Sequence, residues 1–149
     1  MAEISNRDHV LEDFKTCLTN ITKANGFQND VSEVIRKFVY YDSVGSFPLL
    51  MVLGGGEDFD DQMGNMTTSN MKIRIAGYSK DSLDPESASC SLIADILKCI
   101  DSDTYNSWKL KMVPISLETD EGMLHEVGEG VAMFVLNLLV VYRFNRSIP

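Results

Sequence analysis

The chain is poor in the residues that most often do chemistry: 149 residues hold two histidines, three cysteines and one tryptophan, and 13 basic side chains face 22 acids for a formal charge of -9. Each shortage excludes something. His9 lies four residues before Asp13, the spacing of a solvated pair on one helix face, and His125 stands beside Glu126 with no second imidazole or cysteine at metal spacing. Zinc is excluded on this reading, and no metal or cofactor is expected. Cys17, Cys90 and Cys99 form no C-x-x-C pair and leave one thiol over in any pairing, which reads as buried free thiols in a reducing compartment. The acidic balance speaks against broad gripping of nucleic-acid phosphates, but leaves room for DNA to pass an acidic wall.

Long apolar runs are missing too. Val131 to Val141 is too short for a membrane-spanning helix and is interrupted by Asn137, while MAEISNRDHV has neither the basic start nor the apolar run of a signal peptide. The expectation is a soluble, cytoplasmic protein without a membrane partner.

What is present suits a single domain over residues 1–149, with 44% hydrophobic and 23% charged residues and a length that buries about 70% of the unfolded surface. From Asn6 to Asn25, Val10, Phe14, Leu18 and Ile21 recur at helical spacing between Glu12, Lys15, Thr19 and Lys23, which predicts an amphipathic helix. Gly26 follows in the place of a left-handed cap, with Phe27 folding back onto the helix. Val31 to Tyr41 is β-branched and aromatic enough for a strand, with room for a bulge or a helical turn near Glu33. After a turn, Phe47 to Leu53 reads as the next strand, Pro48 being tolerated at its start.

Met71 to Ile75 alternates apolar and polar residues, so Lys72 and Arg74 share the face turned to water or to a partner. Asp84-Pro85-Glu86 supplies the cap, the first-position proline and the first-turn acid of a helix that continues through Ala88, Leu92, Ile93, Ile96, Leu97 and Ile100. Strands over Trp108 to Leu117 and Gly130 to Phe144, with Asp120-Glu121-Gly122 in the connection, complete the chain.

This order predicts an α+β fold: a mainly antiparallel or mixed β-sheet of about five strands with two amphipathic helices packed on it. The last strand is apolar on both sides, with Val131, Met133, Val135, Leu139 and Val141 on one and Ala132, Phe134, Leu136, Leu138, Val140 and Tyr142 on the other. Two explanations stand: a strand sandwiched within its own domain, or one whose second face a neighbouring subunit covers.

The stretch GGGEDFDDQMGNMTTSN, Gly54 to Asn70, reads as a flexible loop. Its triple glycine follows a strand, as phosphate loops do, but Phe59 stands where a P-loop or a dinucleotide fingerprint needs glycine. A calcium loop begun at Asp58 would need acids or glycine where Gln62, Met63 and Ser69 stand. No G-x-S-x-G elbow occurs, since Val44 and Pro48 flank Ser46, and an enzyme is disfavoured. What the loop does hold is glycine, four acids in the five positions from Glu57 to Asp61, and the adaptable side chains of Phe59, Met63, Met66 and Met71. Such a segment suits a surface that settles against a partner.

Taken in order, the helix closing at Gly26-Phe27 with Asn29-Asp30-Val31 after it, the run Phe47-Pro48-Leu49-Leu50 into Gly56-Glu57, the segment before Met71 that reads as mobile, the helix around Ala94-Asp95-Ile96-Leu97 and the final Val140-Val141-Tyr142-Arg143 resemble the tail terminator, or tail completion, proteins of tailed bacteriophages. The likeness is one of layout over nearly the whole chain, with no short motif. It implies a non-enzymatic virion protein, assembled in the host cytoplasm, that forms a ring, commonly a hexamer. Such a ring caps the tail tube, ends its polymerisation and offers a surface to the neck or head completion protein, with DNA only passing through the lumen. A neck or head-tail connector subunit is the nearest alternative, and a small cytosolic enzyme or adaptor the more distant one.

Under this reading Gly54, Gly55, Gly56, Glu57, Asp58, Phe59, Asp60, Asp61, Met63 and Met66 are candidate contacts with the tube protein or a neighbouring copy. Arginine suits bidentate pairing with carboxylates, which makes Arg36, Arg74, Arg143 and Arg146 candidate partners for these acids across subunits.

Overall fold

The computed structural model describes residues 6–61, 66–103, 116–128 and 130–145. Its elements run α1 (Asn6–Thr19), β1 (Glu33–Ile35), β2 (Leu49–Asp61), β3 (Met66–Lys80), α2 (Pro85–Asp103), β4 (Ser116–Gly128) and β5 (Val131–Asn145). The five strands form one sheet in the order β1-β2-β3-β5-β4, antiparallel at every junction except the parallel pair β1 and β2. The predicted α+β architecture is the one found.

Val10, Leu11, Phe14, Cys17 and Leu18 of α1 and Leu92, Ile96, Cys99 and Ile100 of α2 are buried against one face of the sheet. That face is made of Leu50, Val52, Met71, Ile73, Ile75, Phe134, Leu136, Leu138 and Val140, the inward half of three adjacent strands. Each such side chain contributes about 1.5–3 kcal/mol on leaving water, so this layer dominates the stability of the domain.

The first helix is shorter than its periodicity predicts. The Thr19 hydroxyl donates to the Thr16 carbonyl at 2.6 Å, and the amides of Asn20 and Ile21 reach back three residues to Cys17 and Leu18, tightening the last turn. A 3-10 turn over Lys23–Asn25 follows, and Gly26 then takes the left-handed φ of 92° expected of it. Phe27 packs against the core as expected. At the second helix, the Asp84 carboxylate accepts the Ser87 amide at 3.0 Å, which is the predicted cap.

Three expectations are corrected. Only Glu33–Ile35 of the strand predicted over Val31 to Tyr41 enters the sheet. The residues beyond it are drawn across the opposite sheet face, where Val39, Val44 and Phe47 pack on Leu49, Met51, Ala76, Tyr78 and Val131, and the Tyr78 hydroxyl donates to the Val39 carbonyl at 2.7 Å. Running over the sheet in this way is also what a parallel partner for β2 requires, since a tight turn cannot join parallel strands.

Over its described residues Gly54 to Asn70 is not a loop: β2 continues to Asp61 and β3 begins at Met66, with 62–65 outside the described residues. Asp120-Glu121-Gly122 lies inside β4, where the register slips between Thr119 and Gly122 and so absorbs the polar residues as an irregularity. The strand predicted from Trp108 falls outside the described residues up to position 115, and Ser116 and Leu117 open β4.

Candidate functional site

Between Gly54, opposite Ile73, and Glu57, opposite Met71, β2 advances three residues while β3 advances two. The glycine triplet is therefore a β-bulge with one extra residue, which bends and twists the strand that follows. A side chain on Gly55 would stand 3.0 Å from the Lys72 carbonyl, and one on Gly54 would stand 2.7 Å from Arg7 Nη2. That guanidinium donates to the Gly55 carbonyl at 2.7 Å. The glycines thus let an arginine of α1 bond the strand backbone at its bulge.

Past the bulge, Glu57, Asp58, Phe59, Asp60 and Asp61 pair in register with Met71, Asn70, Ser69, Thr68 and Thr67. Glycine and aspartate are poor strand formers, and it is tertiary pairing that holds them: the same β3 residues pair on their other side with Val140 to Phe144 of β5. Asp58 and Phe59 are exposed, Phe59 at 57% of its area. Asp58 forms no ion pair among the described residues. Met66 lies opposite Asn145, and Met63 and Arg146 lie outside the described residues.

The arginines separate into different settings. Arg36 bonds Glu12 at 2.9 Å and Asp8 at 3.0 Å, both on α1. Burial opposes its charge, but the two carboxylates outweigh that and raise its pKa above the ordinary value. Arg143 stands at the β5 position opposite Thr68, in the same cross-strand row as Asp60. Arg74 is exposed on β3 between Leu53 and Asn137, on the sheet face away from the helices.

Lys72, two residues earlier on that face, is exposed beside Leu139, and neither cation forms an ion pair among the described residues. Lys72 is the functional candidate that charge matching to arginine alone overlooks; the period-two alternation that places it beside Arg74 is the signal for it.

Around these cations the sheet face is half covered. Leu53, Met133, Val135 and Leu139 are partly exposed, whereas their neighbours on the helix side of β5, Phe134, Leu136 and Leu138, are buried. The segment 36–48 covers the end of the face near Leu49 and Tyr78 but is not continued over Lys72 and Arg74. The helix face of the last strand is therefore internal to the domain, while part of its other face is partly exposed.

Elsewhere the polar groups are structural. Asp95 of α2, 3% exposed, accepts the amides of Gln28 at 3.1 Å and Asn29 at 2.9 Å and the Asn29 side-chain amide at 2.7 Å, pinning the turn after Gly26. Cys17 and Cys99 meet with Sγ atoms 3.4 Å apart, buried between the helices as expected, whereas Cys90 is exposed, a correction to the expectation of three buried thiols. Among the described residues no group of three His, Cys, Asp or Glu side chains is arranged to hold a metal ion, and no helix is long and apolar enough to cross a membrane.

Among solved structures, the chain is similar to a chain of the virion of a native gene transfer agent particle, with a TM-score of 0.47 and 11% identity over 85% of this chain and 84% of that one. A search of the curated proteins found no match. The family described as Bacteriophage Tail Tube Terminator Protein matches residues 2–148. With a match spanning nearly its whole length, the chain belongs to the bacteriophage tail tube terminator family and is a structural protein of the virion tail.

Proposed function

We propose that this protein forms a homo-oligomeric ring, a hexamer, that caps the tail tube, ends its polymerisation and presents the surface on which the neck or head completion protein docks. It assembles in the host cytoplasm, carries no enzymatic activity, and lets DNA pass through its lumen without sequence recognition. Family membership over residues 2–148 carries this reading. The half-covered sheet face around Lys72 and Arg74, on a chain with an overall charge of -9, supports it as a surface suited to another subunit.

Negative-stain microscopy of the purified protein at high concentration, with light scattering for its mass, tests the ring. Six-fold particles with a central hole are expected. A protein that stays monomeric both alone and on isolated tail tubes contradicts the proposal.

A further inference from the structure

Two patches of opposite charge lie at different levels of one sheet. The first is the strand from Glu57 to Asp61, with four acids in five positions and the exposed Phe59 among them. The second is Lys72 and Arg74 on the helix-free face of the central strand β3, flanked by the partly exposed Leu53 and Leu139.

Among the described residues no ion pair joins them. Asp60 pairs with Thr68, and the six steps of strand from Thr68 to Arg74 span about 20 Å, beyond the screening length at physiological salt. Asp58 pairs with Asn70, nearer to Lys72, yet neither of the two forms an ion pair among the described residues. Arg36 is already held by Asp8 and Glu12.

We propose that the acidic strand Glu57–Asp61 of one copy docks across Lys72 and Arg74 of a second copy. The opposite charges select the pairing and its register, while the half-covered Leu53 and Leu139 supply apolar surface to bury. Because the two patches are different surfaces, the contact can run head to tail, each copy having one patch to give and one to receive, whereas reciprocal pairing of two copies would stop at a dimer. Repetition of such a contact closes a ring when the rotation between copies divides the circle, and otherwise grows a filament. The bulge at Gly54-Gly55-Gly56, tied by Arg7, sets the direction in which the acidic strand leaves the rest of β2. The inference rests on the ring reading for the number of copies and not for which surfaces meet.

The test uses paired charge reversals in the full-length protein: Lys72→Glu with Arg74→Glu in one variant, and Asp58→Lys with Asp60→Lys in the other. Lys37→Glu, at an exposed position outside both patches, is the control. Self-association is read by sedimentation velocity. Each double reversal weakens it at least tenfold, about 1.4 kcal/mol or more, while the control assembles like the wild type. An equimolar mixture of the two reversals recovers assembly, since every junction between unlike variants again joins opposite charges; recovery also shows that neither variant is misfolded.

Assembly unchanged in both reversals, no recovery on mixing, or a wild type that stays monomeric at every concentration overturns the docking. Rings that persist in both reversals would leave the ring reading intact. A wild type that stops at dimers abolished by the reversals would instead keep the docking and remove the ring.

Discussion

Arg7 and Gly55 are joined by a 2.7 Å hydrogen bond from the guanidinium to the backbone carbonyl, which ties the first helix to the bulge in the second strand. This bond gives the glycine triplet a structural purpose in place of the phosphate cradle its composition suggests. Gly54→Ala pushes against the movable end of Arg7, so it costs about 1 kcal/mol, the worth of that hydrogen bond.

Gly77→Ala is the harsher change. Its new methyl would stand 2.6 Å from Phe134 Cε1 and 2.9 Å from Leu50 Cδ2, in a fully packed layer. Overpacking of this kind costs about 1–3 kcal/mol. Urea unfolding of the two variants checks the order, with Gly77→Ala showing the lower midpoint.

Asp95 is the clamp between the second helix and the turn after Gly26. Asp95→Ala strips the acceptor from the Gln28 and Asn29 amides and destabilises the protein by about 1–3 kcal/mol. Asp95→Asn also destabilises, because its NH2 group turns a donor toward a cluster of donors. Faster amide exchange at Gln28 and Asn29 in both variants is the expected signature in hydrogen-exchange measurements.

Thiol labelling separates the three cysteines. Cys90 is exposed, while Cys17 and Cys99 are buried between the helices at 1% and 2% exposure. A thiol reagent is expected to modify one cysteine rapidly in the native protein and all three in denaturant.

Tyr78 links stability to alkaline pH. Burial raises its hydroxyl above the ordinary tyrosine value, with the nearby Asp42 and Tyr40 adding to the shift. The unfolded chain then loses this proton before the folded one, so the stability tied to Tyr78 is complete below about pH 10 and declines as pH rises through the folded value. Tyr78→Phe flattens that alkaline decline. At neutral pH the same substitution costs about 1 kcal/mol for the lost bond to the Val39 carbonyl. Thermal melts of both proteins between neutral and alkaline pH measure the two effects together.

Elements whose local chemistry and tertiary setting agree were legible in the sequence. Asp84-Pro85 starts the second helix because cap, proline and apolar spacing all point the same way, and Met71 to Ile75 lies in a strand because its alternation matches a one-sided core. The remainder depends on pairing that no local pattern reveals. Glu57 to Asp61 is made of poor strand formers and becomes a strand through its register with β3, itself supported by β5. Val39 and Phe47 carry strand-like side chains yet serve as cover for Met51, Ala76 and Tyr78, because the parallel β1 needs a connection that crosses the sheet. At the candidate site, the acids and the shared face of Lys72 and Arg74 were visible in the sequence, whereas the local capture of Arg36 by Asp8 and Glu12 follows only from the fold.

The central claim is that this protein ends tube growth. Purified tube protein polymerising in the presence of increasing amounts of this chain, with tube lengths measured by electron microscopy, tests it most directly. The account predicts that mean tube length falls as the chain is added and that a ring-shaped cap sits at one end of each tube. Unchanged tube lengths, or binding along the tube wall in place of its end, would contradict it.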